Sequence, residues 1–305
     1  MSCDFLIKQI YARKLKNGNW VVLAANSDIL VVDEATAKSL VQSDDSVYRH
    51  DDEAKNLLKE SGFLTELSDY NQFIPDEKIC LKWKILRYGL ISIGMVSFII
   101  MLIVTPLIGI PNGSSIIPNN VPLWITIIFM LFFSASTTLL HELMHMIYAR
   151  TWSFKTGGIH LRVKKATAVV SMTHIWVWSF LTRFSALIAG IISDLFLLTC
   201  FSCAQLFFDN WMLITASSIL WMRILWQFGF HRNCDGQLIA MTVLDNPMVA
   251  IDSNYINSND EKNKDIQIWK KLKIIGCVID MILFLFWLVP FIISIVNYVK
   301  INILL

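Results

Sequence analysis

The chain has 305 residues, 55% of them hydrophobic and 16% charged, with a net charge of +2 and a mean hydropathy of +0.55. A soluble domain carries about 25% charged residues, so an ordinary water-soluble globule is excluded. The charge is also unevenly spread. Residues 1–77 hold 14 Asp+Glu against 8 Lys+Arg, whereas 78–305 hold 10 against 18. The break near Lys78 predicts a small acidic soluble domain over 1–77 and a membrane domain over 78–305. The opening Met1-Ser2-Cys3-Asp4 is followed by no cleavable apolar segment, so no signal peptide is expected.

In the front domain, 20–24 and 29–32 read as two strands around the turn Asn26-Ser27-Asp28. Asp33 can cap a helix over 34–41, and Asp51 or Asp52 a second that stops at Gly62. A hairpin with two short helices predicts a small α+β or winged-helix unit. In its order of elements it resembles the leader-peptide recognition domains that accompany enzymes modifying ribosomally made peptides. The alternative is a simple folding cap. Its net negative charge argues against nucleic acid as a partner.

The membrane domain is expected to be mainly α, a polytopic helix bundle of about five spans. Four apolar stretches reach the roughly 20 residues needed to cross a bilayer, at about 88–109, 122–146, 184–208 and 274–298. A fifth, about 211–228, is shorter and carries Arg223. Lys and Arg gather before the first span, between the second and third, and between the fourth and fifth. The opposite loops, 110–121 and 209–210, contain none. Basic residues favour the cytoplasmic side, which predicts a multi-pass cell-membrane protein with a cytoplasmic N-terminus. The six cysteines fall on the reducing side or within spans, where they read as packing residues, Cys200-x-x-Cys203 included.

The second predicted span ends Leu140-His141-Glu142-Leu143-Met144-His145. Residues four apart share a helix face, so both imidazoles can reach one ion. Neutral imidazole suits Zn2+, and two of them leave room for a third protein ligand and water. Glu142, one position round, can act on that water as general base. Asp235, in Cys234-Asp235-Gly236-Gln237 beyond the fourth span, is a suitable third ligand, with Gly236 easing the backbone turn beside it. His174, His231, Cys234 and Asp194 compete for that place, His231 most strongly. Arg223, inside a span, is expected to pair with Asp194 or Asp280, because an isolated charge there is expensive.

Between the second and third spans, Ile159, Leu161 and Val163 alternate with His160, Arg162 and Lys164, a half-buried strand. Residues 166–172 can return as its partner in an interfacial β-hairpin. That hairpin either anchors the head-group layer or offers a free edge, through Gly158, Ile159, His160 and Leu161, to an extended substrate. Trp176 and Trp178 are expected at the membrane interface.

His141-Glu142-x-x-His145 followed by Asp235-Gly236 resembles the site-2 protease family of intramembrane zinc metalloproteases. Closer still, the chain looks like the peptide zinc metalloproteases encoded with bacterial peptide-maturation genes. The likeness covers about residues 137–247 and takes in Thr173-His174-Ile175-Trp176 and Asn246-Pro247. It departs from the family where Gln227 and Phe230 stand in place of an Asn and a Pro thought to help place the substrate backbone. The resemblance implies a zinc metalloendopeptidase with His141, His145 and Asp235 on the metal, Glu142 as base and Gln227 near the substrate. Its substrate would be a membrane protein or a small ribosomally made peptide, in the lipid bilayer, with a transporter or peptide-modifying enzyme as a possible companion. A membrane binding or immunity protein that keeps the metal site without cleaving is the alternative.

Overall fold

A computed structural model describes residues 6–42, 52–65, 73–118, 120–151, 159–162, 167–170, 172–255 and 264–303, with only the backbone described for 159–162, 167–170, 255 and 301–303. The chain divides into two compact units. Met1–Ile79, Met146–Ala186 and Met241–Tyr255 form the first; Cys80–His145, Leu187–Ala240 and Ile256–Leu305 form the second. The division follows the break in charge near Lys78. It differs from a simple 1–77 and 78–305 split by giving two later segments to the first unit.

The first unit is built on a three-stranded antiparallel sheet, β2 (Tyr11–Lys14), β3 (Trp20–Leu23) and β4 (Leu30–Val32), with β3 in the centre. A two-stranded pair joins β1 (Leu6–Ile7) to β5 (Leu64–Thr65). The expected hairpin is β3–β4, with Trp20 opposite Val32 and Val22 opposite Leu30. Helix α1 (Glu34–Val41) starts where Asp33 accepts the Thr36 N–H at 2.7 Å, as an N-cap should. Helix α2 covers Asp52–Glu60, and Gly62 follows it with a φ of +78°. Strand β2 is not evident from the sequence, since Tyr-Ala-Arg-Lys has no apolar alternation.

Both faces of β3 are covered, so Val21, Val22 and Leu23 are all buried. Val22 packs towards Leu40 and Phe63. Val21 packs with Leu15 and Trp176, and Leu23 with Ile74. Trp176 and Trp178 therefore belong to a protein core and not to a head-group layer. The Trp178 indole N–H donates to the Pro75 carbonyl at 3.1 Å, which satisfies the one polar atom that would otherwise seek the interface. The later hairpin is present as β6 (Ile159–Arg162) against β7 (Thr167–Val170), antiparallel.

Asp245, 5% exposed, draws together the pieces of this unit. Arg13 donates to its two oxygens at 2.7 and 3.2 Å, Arg183 at 2.9 Å and the Lys16 N–H at 3.1 Å. Burial opposes its charge, but the hydrogen bonds from Arg13 and Arg183 outweigh that and hold its carboxyl below the usual range.

The second unit is helical. Four helices are long and apolar enough to cross a membrane, namely Leu81–Ile108 (α3), Leu123–Tyr148 (α4), Phe180–Gln205 (α5) and a continuous run over Lys264–Lys300. At 1.5 Å per residue the shortest of them rises about 39 Å, against a hydrocarbon core of about 30 Å. Their surfaces are apolar too: Leu107, Leu131 and Phe132 are 69%, 68% and 74% exposed. Side chains so placed need lipid as their solvent, and the chain is a membrane protein. The fifth apolar helix, α6 (Trp211–Trp226), is shorter, rising about 24 Å. The first span starts seven residues earlier than the sequence indicates. The last is much longer and consists of α9 (Lys264–Leu283), a π-helical turn over Phe284–Leu288 and α10 (Val289–Ile303). The π turn precedes Pro290, which lacks an N–H and crowds the previous turn. Here the Val289 N–H reaches back to the Phe284 carbonyl.

Replacing Asp245 by Ala strands the buried guanidinium of Arg183 and the partly buried one of Arg13. We expect a loss of about 3–5 kcal/mol, read as a lower unfolding temperature in detergent. The carboxylate's contribution is complete above about pH 4, the ordinary Asp range, and disappears as acid takes it through its lowered pKa. The gap between wild type and variant should therefore close in strong acid.

Candidate metal centre

Three helices of the second unit position the site, each through residues four apart on one face. On α4 these are Thr137, His141 and His145; on α5, Gly190 and Asp194; on α6 and its C-cap, Arg223 and Gln227. The fourth contributor is Asp235, the first residue of α7 (Asp235–Leu244). A carboxylate is favoured at a helix start, where backbone N–H groups point outward.

His141, His145 and Asp235 form a group that could hold a metal ion. His141 Nε2 lies 2.9 Å from Asp235 Oδ2, His145 Nε2 lies 3.1 Å from the same oxygen, and the two Nε2 atoms are 3.2 Å apart. Both imidazoles are buried, 3% and 1% exposed. Ligands at about 2.0–2.1 Å from a tetrahedral ion are separated by about 3.3 Å. The triangle is within a few tenths of an ångström of one face of that tetrahedron.

The protonation pattern also favours a cation. His141 Nδ1 is 2.8 Å from Asp194 Oδ2, and a carboxylate only accepts, so Nδ1 carries the hydrogen. In the neutral ring Nε2 then presents a lone pair to Asp235. Lone pairs meeting at this spacing repel unless a positive charge, a proton or a metal ion, lies between them. A carboxylate–histidine–metal arrangement of this kind fixes ring and tautomer.

Asp194 is fully buried and thus needs its own counter-charge. Arg223 supplies it: Nε donates to Oδ2 at 2.9 Å and Nη2 to Oδ1, while Nη1 donates to Thr137 Oγ1 at 2.8 Å. Of the two pairings expected for Arg223, this is the one made. Asp280 instead receives His231 Nε2 at 2.9 Å and the Arg232 guanidinium.

The competitors for third ligand are accounted for. His231 faces Asp280, and His174 Nε2–H donates to the Ala149 carbonyl in the first unit. The Cys234 thiol donates to the Gln227 carbonyl at 3.1 Å, and Asp194 holds His141 from behind. Glu142 follows His141 on α4 and is half-buried. Gln227 supports Asp235 directly, its Oε1 accepting the Asp235 N–H at 3.3 Å. Ile159, His160 and Leu161 lie on β6, paired with Val170, Val169 and Ala168, and Gly158 lies outside the described residues.

Two glycines are fixed by close approach. A Cβ on Gly190 would stand 2.5 Å from both ligand nitrogens, and one on Gly236 would stand 2.0 Å from the Gln227 carbonyl oxygen. Gly236 thus serves by proximity to Gln227 and not through a positive φ, which only Gly18, Gly62 and Gly109 among the described glycines adopt. Gly190, Thr137 and the support from Gln227 are missing from the sequence reading. A signal for Gly190 exists: an interior helical glycine costs about 1 kcal/mol, and this one stands four residues before an intramembrane Asp.

Comparison with protein-family models, with curated proteins and with solved structures finds no match.

Asp194→Asn should weaken metal binding by about 10- to 100-fold, measured by competition with a chromogenic chelator. Gly190→Ala should abolish stoichiometric binding while helicity by circular dichroism persists. Metal retained at wild-type affinity in both variants would remove the assigned geometry.

Proposed function

We propose that the chain is a multi-pass membrane zinc metalloendopeptidase of the site-2 protease type. It acts on a membrane-associated protein or a small ribosomally made peptide. The observation that carries this reading is the triangle of His141, His145 and Asp235 donor atoms, 2.9 to 3.2 Å on a side, with Glu142 next to a ligand. Two imidazoles and one carboxylate match zinc by donor type and number, and leave a position for water and substrate. Zinc, when bound, acidifies water and polarises a scissile carbonyl.

Glu142 accepts the proton of the attacking water and delivers it to the departing amine. Asp194, itself neutralised by Arg223, keeps the His141 hydrogen on Nδ1 and leaves Nε2 as donor. Gln227 and Gly236 hold Asp235 in reach. Helical backbone is internally hydrogen bonded, so the substrate must unwind before attack. With α6 counted as a fifth span, the basic loops favour a cytoplasmic N-terminus and a cytoplasmic end of α4.

Purified protein incubated with zinc and candidate peptides should cleave, and a chelator should stop it. Glu142→Gln should lower turnover by roughly 10²–10⁴-fold while zinc stays near one per chain. Zinc-loaded protein that binds peptide and never cuts it would move the chain to the non-cleaving binding or immunity class.

A further inference from the structure

Within the first unit, the turn that follows β3 and the segments around Phe73, Thr151 and His174 enclose a pocket of about 220 Å³. None of the residues lining it is an Asp, Glu, Lys or Arg. Two of them are polar side chains more than nine-tenths buried, with Thr151 2% and His174 9% exposed. The Thr151 hydroxyl has no hydrogen-bond partner among the described residues. His174 commits its Nε2–H to the Ala149 carbonyl at 2.8 Å, so the other ring nitrogen, Nδ1, carries a lone pair. Burial, reinforced by the Arg150 charge, pushes the pKa of this ring below its ordinary value and keeps it neutral.

These two groups set the chemistry of an occupant. A hydroxyl able to donate and a nitrogen able only to accept call for a ligand that offers both an acceptor and a donor. An apolar group would leave both wall atoms unpaired, at the desolvation cost of buried polar groups. An ion would enter without a counter-charge. Two basic side chains of neighbouring segments are turned to main-chain carbonyls instead, Arg150 to Asp76 and Lys8 to Ala25. The volume equals that of about seven waters at about 30 Å³ each. A Ser hydroxyl would fill little of it, whereas the longer carboxamide side chain of Gln fills most. Free glutamine carries two charges that these walls cannot match, which favours the same side chain inside a peptide. Phe73, 52% exposed, offers the flanking residues an apolar surface.

We propose that this pocket recognises a primary carboxamide, the Gln side chain of a peptide. The Thr151 hydroxyl donates to its oxygen, and its NH2 group donates to His174 Nδ1. The inference goes beyond the protease reading and is measured with cleavage disabled, so either can fail without the other.

The probe is full-length, zinc-loaded Glu142→Gln protein in detergent, titrated into fluorescent end-capped peptides that differ only at a central residue. That residue is Gln, N,N-dimethyl-Gln, Glu or Ser, and fluorescence polarisation reads binding. The Gln peptide should bind at least about tenfold tighter than the other three. Thr151→Val keeps the shape and removes the hydroxyl, and should weaken Gln binding about tenfold. Thr151→Ser restores the hydroxyl and should stay within about threefold of the parent. Saturable binding of none of the peptides would mean that the pocket holds only water, and would overturn the proposal. So would a Ser, Glu or dimethylated peptide that binds as tightly as the Gln peptide, or an equal loss in Thr151→Val and Thr151→Ser.

Discussion

Three electron-rich atoms, two imidazole nitrogens and one carboxylate oxygen, converge in a buried place at separations of 2.9 to 3.2 Å. Nearly every other unusual feature of the second unit answers that convergence. Asp194 fixes which nitrogen of His141 keeps its hydrogen. Gly190 keeps α5 from occupying the space at the nitrogens. Gln227 and the start of α7 bring in the carboxylate from a separate helix. With both rings neutral the convergence is repulsive in a medium of low dielectric, and a divalent cation bound there would turn the same geometry from a cost into a binding energy.

The pair of Asp194 and Arg223 illustrates why a membrane helix bundle would keep such charges at all. Burying an ion pair rarely stabilises a fold, since desolvation consumes most of the attraction. Here the pair has a directional task. One Asp194 oxygen accepts from both Arg223 Nε and His141 Nδ1, so α4, α5 and α6 are tied at one point. Thr137, a turn before His141, receives the remaining arm of the guanidinium. The ring of His141 is thereby held against rotation on one side and left to donate on the other.

The sequence shows the candidate ligands more plainly than it shows what supports them. His141 and His145 are evident because a spacing of four means one helix face whatever surrounds it. Asp235 is reached through its Gly236 neighbour and through a family likeness. Gly190 and Gln227 act by contact between distant segments, which spacing along one helix does not encode. The front domain shows the same divide. Asp33 as a cap and the β3–β4 hairpin are local and legible. The buried roles of Trp176 and Trp178 are not, because they depend on Val21 and Pro75, more than a hundred residues away. An amphipathic ring looks the same at a head group and in a core.

If the chain is the protease proposed above, the placement of the site along α4 would reconcile two demands that oppose each other. Hydrolysis needs water, and an apolar substrate segment needs the interior of the bilayer. His141 is about 27 Å of helix rise from the start of α4 at Leu123, while Met130 is only about 10 Å along. With a hydrocarbon core of about 30 Å, the histidines fall near one boundary and the first half of α4 lies in the interior. On the proposed protease reading, a peptide would keep its apolar side chains at depth and bring its unwound backbone to the wet end. Free peptide groups at mid-depth would each cost several kcal/mol, so a cut made near the edge would expose the fewest of them. The charged residues at the site, expensive in the middle of the bilayer, are least costly at that same edge.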